Sequence, residues 1–458
     1  MQHSKEIEKY LTDHHSFESN GAGNAPSWLK ELRSSALGQF AEQGFPTVKL
    51  EDWRFTNILP LTKTSFGYSS AKGLPTLTKN DIAKFVIKEA SKSVLVFLNG
   101  RFQKSLSDLS AIPQGVVAGS LAECMALDGE VFRQNLNKHI PLQAHPFASL
   151  NTAFVSDGAF IHIRKGVTTA VPIHLLFIAT NVNGEPVASY PRNLILVDEG
   201  AAATVVEDFF SLSDEVNFTN AVTEIGVGQK AAFDYIKIQR ESEKAFHVGT
   251  MQVHQEGQSR FTAFSLALGG AIARNDINIT IDGEGCQTML DGLYIPSNDQ
   301  LIDHHTFMDH RKPNCSSREI FKGIVSGSSR SVFNGKIFVQ KEAQKTDSKQ
   351  TNRNLLLSDK ATVDTKPQLE IFADDVKCTH GATVGGLDPS TLFYAKSRAI
   401  SEEASRALLT LGFASEVTDY INDAALRKYV DSLVVERLQK TVVKAVLPEI
   451  VHSDIRSL

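Results

Sequence analysis

Glycine-containing turns recur at a nearly constant spacing in the middle of the chain, and this spacing constrains the fold more than any other feature. Gly200, Gly228, Gly257 and Gly285 each follow a short run of alternating apolar residues, at intervals of 28, 29 and 28 residues. A strand–turn–strand unit of this kind cannot bury its apolar face alone, so neighbouring units must stack. A β-solenoid and a β-sandwich of hairpins both meet this requirement, and the steady period favours the solenoid.

Helical patterns flank this β region on both sides. Before it, Ser27 is a candidate helix cap and residues 80–88 carry apolar side chains at helical spacing. After it, Asp388 followed by a proline, and Ser401 followed by two glutamates, are both typical of helix starts. The last helix has an apolar face formed by Val430, Leu433, Val434 and Leu438. The interior Gly412 predicts either a helix stop or a point of close packing.

This pattern predicts a mainly β protein in three parts. We expect an N-terminal helical and mixed domain, a β core and a C-terminal helical domain, at residues 1–145, 146–386 and 387–458.

Charge and hydropathy limit the partners that the chain can have. The net charge of −5 argues against nucleic acid as the main partner, because phosphate binding usually requires a basic face. The polar N-terminus lacks the apolar segment of a signal peptide. The most apolar stretch, residues 171–178, contains a proline and a histidine and is much shorter than a membrane span. We therefore expect a cytoplasmic protein with no membrane partner.

The common nucleotide-binding and nucleophile motifs are missing from the sequence. The string closest to a phosphate-binding loop, residues 333–337, ends in Ile337, where a magnesium-binding hydroxyl would be required. The four cysteines, at positions 124, 286, 315 and 378, form no Cys-x-x-Cys pair, and we expect them to be free thiols.

Residues 374–385 contain the most informative candidate site. On a strand, Cys378 and His380 would point to the same face, because side chains alternate. A thiolate beside an imidazole could bind iron or zinc. The alternative is a small buried thiol and a surface histidine with no ligand role. The neighbouring Asp374 and Asp375 would point to opposite faces of a strand, so we interpret them as a solvated turn and not as an acid–base pair.

Several strings taken together resemble the SufB/SufD family of the SUF iron–sulfur cluster assembly system. The resemblance is dense from about Arg274 to Val417 and sparser before it. Its strings are residues 332–337, 345–347, 354–357, 364–371, 378–384 and 392–400, with the tryptophan motif at 51–56. Within the family, the chain is more similar to the SufD branch. SufB has a cysteine near the position of Asn352 and a glutamate where this chain has Gly381.

The resemblance implies a right-handed parallel β-helix core flanked by helical domains. It further implies a non-ATPase scaffold subunit in a complex of one SufB, one SufD and two copies of the ATPase SufC. The missing nucleotide loop is consistent with a borrowed ATPase. Iron–sulfur acceptor proteins would be indirect partners, and the isolated chain could form a homodimer. The resemblance leaves open whether a reduced flavin binds the complex.

The resemblance also implies roles for individual residues. His380 and Cys378 match family positions at the SufB interface, where a transient cluster would form with ligands from the partner, so the isolated chain need bind no cofactor stably. The SufC interface would lie in the region of residues 388–416, with candidates Phe393, Tyr394, Arg398 and Ile400. The family usually has glycine where this chain has Ala399, and alanine would be strained there if the backbone is left-handed.

A histidine-rich stretch offers a weaker metal candidate. His304 and His310 share strand parity, His305 faces the other way, and Cys315 follows. We expect these to be exposed strand histidines and not ligands. Two other functions fit a solenoid: a β-helix carbohydrate-active enzyme, which needs a cleft with carboxylates, and a self-assembling structural protein.

Overall fold

The structure is a computed structural model that describes residues 5–19, 25–69 and 73–441. The N-terminal region contains short helices and strands that pack against the β core. Its helices are α1 (Lys5–Ser19), α2 (Ser27–Gln43), α3 (Leu59–Lys63), α4 (Lys79–Ile82), α5 (Leu121–Leu127), α6 (Gly129–Asn135) and α7 (Pro146–Ala153). Its strands are β1 (Gly67–Tyr68), β2 (Val94–Leu98), β3 (Arg101–Phe102) and β4 (Val116–Ser120).

The helix predicted over residues 80–88 is only partly present. The chain forms the single turn α4, followed by two short 3₁₀ turns at Ala83–Phe85 and Lys88–Ala90. Three β-branched residues, Val86, Ile87 and the preceding Ile82, lie in this segment and reduce its helix propensity.

The β core is a parallel β-helix built from two facing sheets. The first sheet stacks β5 (Ala159–Ile163), β8 (Arg192–Val197), β10 (Phe218–Val227), β12 (Phe246–Gln255), β14 (Ile272–Ile281), β16 (Leu301–His310), β18 (Arg330–Val339) and β20 (Thr362–Ile371). The second stacks β6 (Ile173–Ala179), β9 (Ala202–Ser211), β11 (Ala232–Arg240), β13 (Arg260–Ala267), β15 (Gln287–Tyr294), β17 (Ser316–Val325), β19 (Asp347–Leu356) and β21 (Lys377–Gly385). The short β7 (Val187–Ser189) pairs with β1 and β10. The period in the sequence therefore corresponds to one turn of the solenoid.

Parallel register explains why the period is preserved. Side chains that face the interior stack in columns, one from each strand, and one column of the first sheet consists of Ile225, Val253, Ile279, Met308 and Ile337. Burying each such side chain contributes roughly 1.5–3 kcal/mol. The spacing along this column stays within 26–29 residues, because residues are added or removed in the turns while each strand keeps its register.

The outer faces of the two sheets are covered by different helices. The first sheet packs under the N-terminal region, and the second packs under the C-terminal helices α9 (Glu402–Thr418) and α10 (Ala424–Thr441). The remaining C-terminal helix, α8 (Pro389–Ser397), contributes no residue to these apolar clusters. The predicted apolar face of the last helix is confirmed, since Val430, Leu433, Val434 and Leu438 are buried. Gly412 lies inside α9 with open space where a Cβ would be, so it is neither a helix stop nor a point of close packing.

The tryptophan motif anchors the N-terminal region to the first sheet. The Arg274 guanidinium lies 3.8 Å from the centre of the Trp53 ring and forms ion pairs with Asp276 and Asp303. The Thr56 hydroxyl donates to the Asp303 carboxylate at 2.5 Å. A buried cation with two carboxylates and an aromatic face is strongly held, so this contact fixes the N-terminal region against β14 and β16.

Candidate functional site

The two ends of the solenoid differ. At the first end, β2 pairs with β6 and β4 pairs with β5, so the first turn is covered. At the last end, β20 and β21 each have a paired strand on one side only within the described part of the chain. The unpaired sides of these strands present free backbone amides and carbonyls, which soluble proteins normally cover or pair.

The open end also exposes apolar side chains. Phe372 is 59% exposed, and Ile371 and Val384 are also exposed. An uncovered strand edge beside exposed apolar groups is typical of a surface that a partner covers.

Cys378 and His380 lie on β21 at this open end. They are in register with Ser348 and Gln350 of β19, which are buried inside the solenoid, so both side chains face the interior. The prediction that they share a face is therefore confirmed. His380 is exposed because no further turn lies above it in the described residues, and Cys378 is half-buried against the apolar core.

Burial raises the pKa of the Cys378 thiol, so this group stays protonated near neutral pH in the isolated chain. A metal ligand must be a thiolate, so binding there requires a metal that displaces the proton.

A buried polar stack lies directly beneath His380, and sequence reasoning missed it. Gln350 occupies the interior position below His380, and Glu319 occupies the position below Gln350. The Gln350 amide donates to the Glu319 carboxyl at 2.7 Å. Burial raises the pKa of Glu319 to about 7, far above its ordinary value. Strand alternation could have revealed this stack, because residues 319, 350 and 380 are interior positions of successive turns.

A second exposed feature is helix α8. The side chain of Asp388 caps its N-terminus by accepting from the amides of Ser390 and Thr391, as predicted. None of its residues is buried, and Phe393 and Tyr394 are 74% and 60% exposed. A helix of nine residues is not stable by itself, and soluble proteins seldom leave an apolar face exposed to this extent.

The end of α8 is strained. The predicted docking residues Arg398 and Ile400 lie at this end, and the Arg398 guanidinium donates to the Tyr394 hydroxyl at 3.0 Å. Between them, Ala399 has a φ of 63°, in the left-handed region that favours glycine. The backbone at Ala399 is thus left-handed and not helical, and the alanine is strained there.

Comparison with known proteins agrees with these features. The family model "SUF system FeS cluster assembly, SufBD core domain" matches residues 177–413, and "SufBD protein N-terminal region" matches residues 4–175. The chain is 35% identical to the iron–sulfur cluster assembly protein SufD of Escherichia coli, over 93% of this chain and 96% of that protein.

This chain belongs to the SufBD family.

Other relatives cover the chain to a similar extent. A SufBD family iron–sulfur cluster assembly protein of Synechocystis is 33% identical over 89% of this chain and 90% of its own length. Protein ABCI7, chloroplastic, of Arabidopsis thaliana is 29% identical over 87% of this chain and 84% of its own length. The first two names describe iron–sulfur cluster assembly and not carbohydrate chemistry. No helix among the described residues is long and apolar enough to cross a membrane.

The prediction that the histidines of the 304–310 stretch are exposed is wrong for two of them. His304 and His310 are fully buried and face the interior, since they alternate with outward residues on β16. Burial lowers the pKa of His304 to about 3 and that of His310 to about 4, so both are neutral. His304 stacks on the Tyr294 ring at 5.3 Å, and His310 bonds to the Ser317 hydroxyl at 2.9 Å.

These histidines do not form a metal site with Cys315. In the described ranges no group of three or more histidine, cysteine or carboxylate side chains could hold a metal ion. The interpretation of Asp374 and Asp375 as a solvated turn is confirmed, because both are exposed in the bend before β21.

A groove of about 490 Å³ lies between the tryptophan motif and the outer face of the first sheet. Its lining includes the carboxylates of Asp52, Asp276 and Glu370, and the cations Arg274 and Lys336 pair with carboxylates. Because the cations of the lining are already paired with carboxylates, the groove does not favour binding of a phosphate group. Sequence reasoning did not identify the groove, because its lining comes from segments that lie far apart in the chain.

Proposed function

We propose that this chain is a non-catalytic scaffold subunit of the complex that assembles iron–sulfur clusters. The observation that carries the proposal is the open end of the solenoid, with Cys378 and His380 at its rim. A SufB-type subunit with a similar β-helix would pair with the free edges of β20 and β21. Pairing would bring ligands of the partner over the rim, because one thiol and one imidazole cannot complete a cluster site.

Helix α8 would dock the ATPase SufC. Its exposed Phe393 and Tyr394 provide an apolar anchor, and Arg398 lies beside them. Aromatic and arginine side chains are the groups that most often dominate binding energy at interfaces. In this scheme ATP hydrolysis in SufC moves the C-terminal helices, and the movement opens the interface where a nascent cluster forms.

The first test is co-expression of the tagged chain with SufB and SufC from the same genome, followed by pull-down and mass determination. We expect a stable complex that contains all three proteins. Recovery of the chain alone or as a homodimer would contradict the proposal and favour self-assembly.

The second test separates the two surfaces within that complex. We expect His380→Ala to retain the complex and lose cluster assembly, whereas Thr379→Ala, on the opposite face of β21, should change neither. A double change of Phe393 and Tyr394 to alanine should weaken SufC binding by tenfold or more while SufB binding persists. If deletion of residues 388–458 left SufC binding intact, the coupling scheme would fail.

A further inference from the structure

Two cysteines that the proposed function does not use lie together inside the solenoid. Cys286 immediately precedes β15 and Cys315 immediately precedes β17, and these strands pair with Gln287 opposite Ser316. The Ser316 amide donates to the Cys286 carbonyl at 2.9 Å, which continues the register by one residue. The two cysteines therefore occupy the same position in consecutive turns.

The geometry of the pair is suited to a covalent bond. Adjacent strands lie about 4.8 Å apart, inside the range of about 4.4–6.8 Å between Cα atoms that disulfides span. Both sulfur atoms lie within hydrogen-bond distance of the Gly283 carbonyl oxygen, at 3.2 Å from Cys286 and 3.1 Å from Cys315. The two sulfur atoms are thus at most 6.3 Å apart, the sum of those distances.

The backbone around the two sulfur atoms is closely packed, and a single turn separates each cysteine from solvent. A Cβ on Gly283 would overlap the backbone of Gly257, so the shared carbonyl is held by close packing between turns. Both cysteines are buried, yet each follows an exposed or partly exposed turn that contains Glu284 or Asn314. A small oxidant therefore has one layer of turn residues to pass.

The two thiols differ in acidity. The hydrogen bond from Cys315 lowers the pKa of Cys286 to about 6, with a further contribution from Ser259, while the same interaction raises the pKa of Cys315. Cys286 is therefore the more acidic thiol of the pair and Cys315 the less acidic one, which suits the roles of a nucleophile and a resolving thiol.

We propose that Cys286 and Cys315 form a reversible disulfide site that responds to a hydroperoxide. The Cys286 thiolate attacks one peroxide oxygen, the O–O bond breaks, and a sulfenic acid and hydroxide are produced. The Cys315 thiol then attacks the sulfenic sulfur, the S–S bond forms and water leaves. Together two thiols and one hydrogen peroxide give one disulfide and two waters, and a dithiol reductant reverses the step. The bond would tie two consecutive turns of the solenoid together.

The test uses the full chain carrying Cys124→Ser and Cys378→Ser, so that only the proposed pair remains. The reduced protein is treated with hydrogen peroxide below its thermal midpoint, denatured with a thiol-blocking reagent and digested without reductant. We expect the titratable thiols to fall from two to none per chain and mass spectrometry to find peptides 286 and 315 cross-linked within one chain. Dithiothreitol should restore both thiols, and the oxidised chain should unfold at a higher temperature.

Adding Cys286→Ser is the matched control, which should abolish the cross-link and leave one thiol. The proposal is overturned if both thiols persist after peroxide treatment, or if oxidation gives only sulfinic acids or cross-links between chains. Should the serine variants fail to fold, the same mapping on the unmodified chain decides the question, because a bond between 286 and 315 is distinguishable by mass from every other pairing of the four cysteines.

Discussion

The buried carboxyl of Glu319 makes a sharp prediction about stability and pH. Glu319 is 1% exposed and lies in the solenoid interior, with the Gln350 amide as its hydrogen-bond partner. Burial raises its pKa from 4.5 to about 7, and Asp291 adds a smaller effect in the same direction. The folded chain therefore holds this proton more tightly than the unfolded chain, and stability must fall as pH rises from about 4.5 to about 7.

Glu319→Gln removes the contribution of Glu319 to this dependence, while the carboxyl of Asp291, whose pKa burial also raises to about 7, remains. Glutamine keeps the shape of the side chain and an oxygen that can accept from Gln350, but it carries no charge. The shift of about 2.5 units corresponds to about 3 kcal/mol at 1.36 kcal/mol per unit. We expect the variant to be more stable than the parent by up to about 3 kcal/mol at pH 8, and the two proteins to differ little at pH 4.5, where the carboxyl is protonated in both.

The assay is urea unfolding followed by tryptophan fluorescence at pH 5 and pH 8. The control is Glu342→Gln at an exposed position, which should leave stability within about 0.5 kcal/mol at both pH values. A variant that gains nothing at pH 8, or that gains equally at both pH values, would refute the reasoning that desolvation of Glu319 limits stability.

Three further substitutions test other parts of the fold. Ala399→Gly should raise stability by about 1 kcal/mol in thermal unfolding, because the φ of 63° favours glycine, whereas Ala395→Gly inside α8 should not. Arg274→Ala should lower the free energy of unfolding by about 3–5 kcal/mol, because it leaves the largely buried carboxylates of Asp276 and Asp303 without their cation. The control is Arg330→Ala, which breaks a half-exposed ion pair and should lower the free energy of unfolding by less than about 1 kcal/mol. The parent chain should lose stability as pH falls below 6.5, because the pKa of His310 is about 4 when folded and the unfolded chain binds the proton more tightly. This loss is up to about 1.4 kcal/mol per pH unit, and His310→Gln should reduce it in urea unfolding at pH 4 to 6.5.

The repeat was predictable because stacking in a parallel β-helix gives consecutive turns a similar length. Columns such as Ile225, Val253 and Ile279 place interior residues 28 and 26 positions apart, and glycine or polar residues at the turns mark the boundaries. Strand parity was equally readable, since side chains alternate, and it placed Cys378 and His380 on one face. Capping at Asp388 depended only on neighbouring residues and was also predictable.

Parity could not tell whether a face was interior or exposed. His304 and His310 were expected to be exposed, because isolated polar residues usually are, yet both face the interior. Their burial depends on Tyr294 and Ser317, which lie on strands of the facing sheet and contact the histidines only when the two sheets enclose the interior.

The sequence by itself determined the repeat length, the helical flanks and the shared face of the rim residues, because these follow from local periodicity and alternation. The tertiary structure alone decided that the last turn is left open, that Glu319 and Gln350 lie beneath His380, and that Cys286 meets Cys315. The last two of these features join residues from different turns, about 30 positions apart, and stacking of those turns is what determines burial, pKa and contact between them.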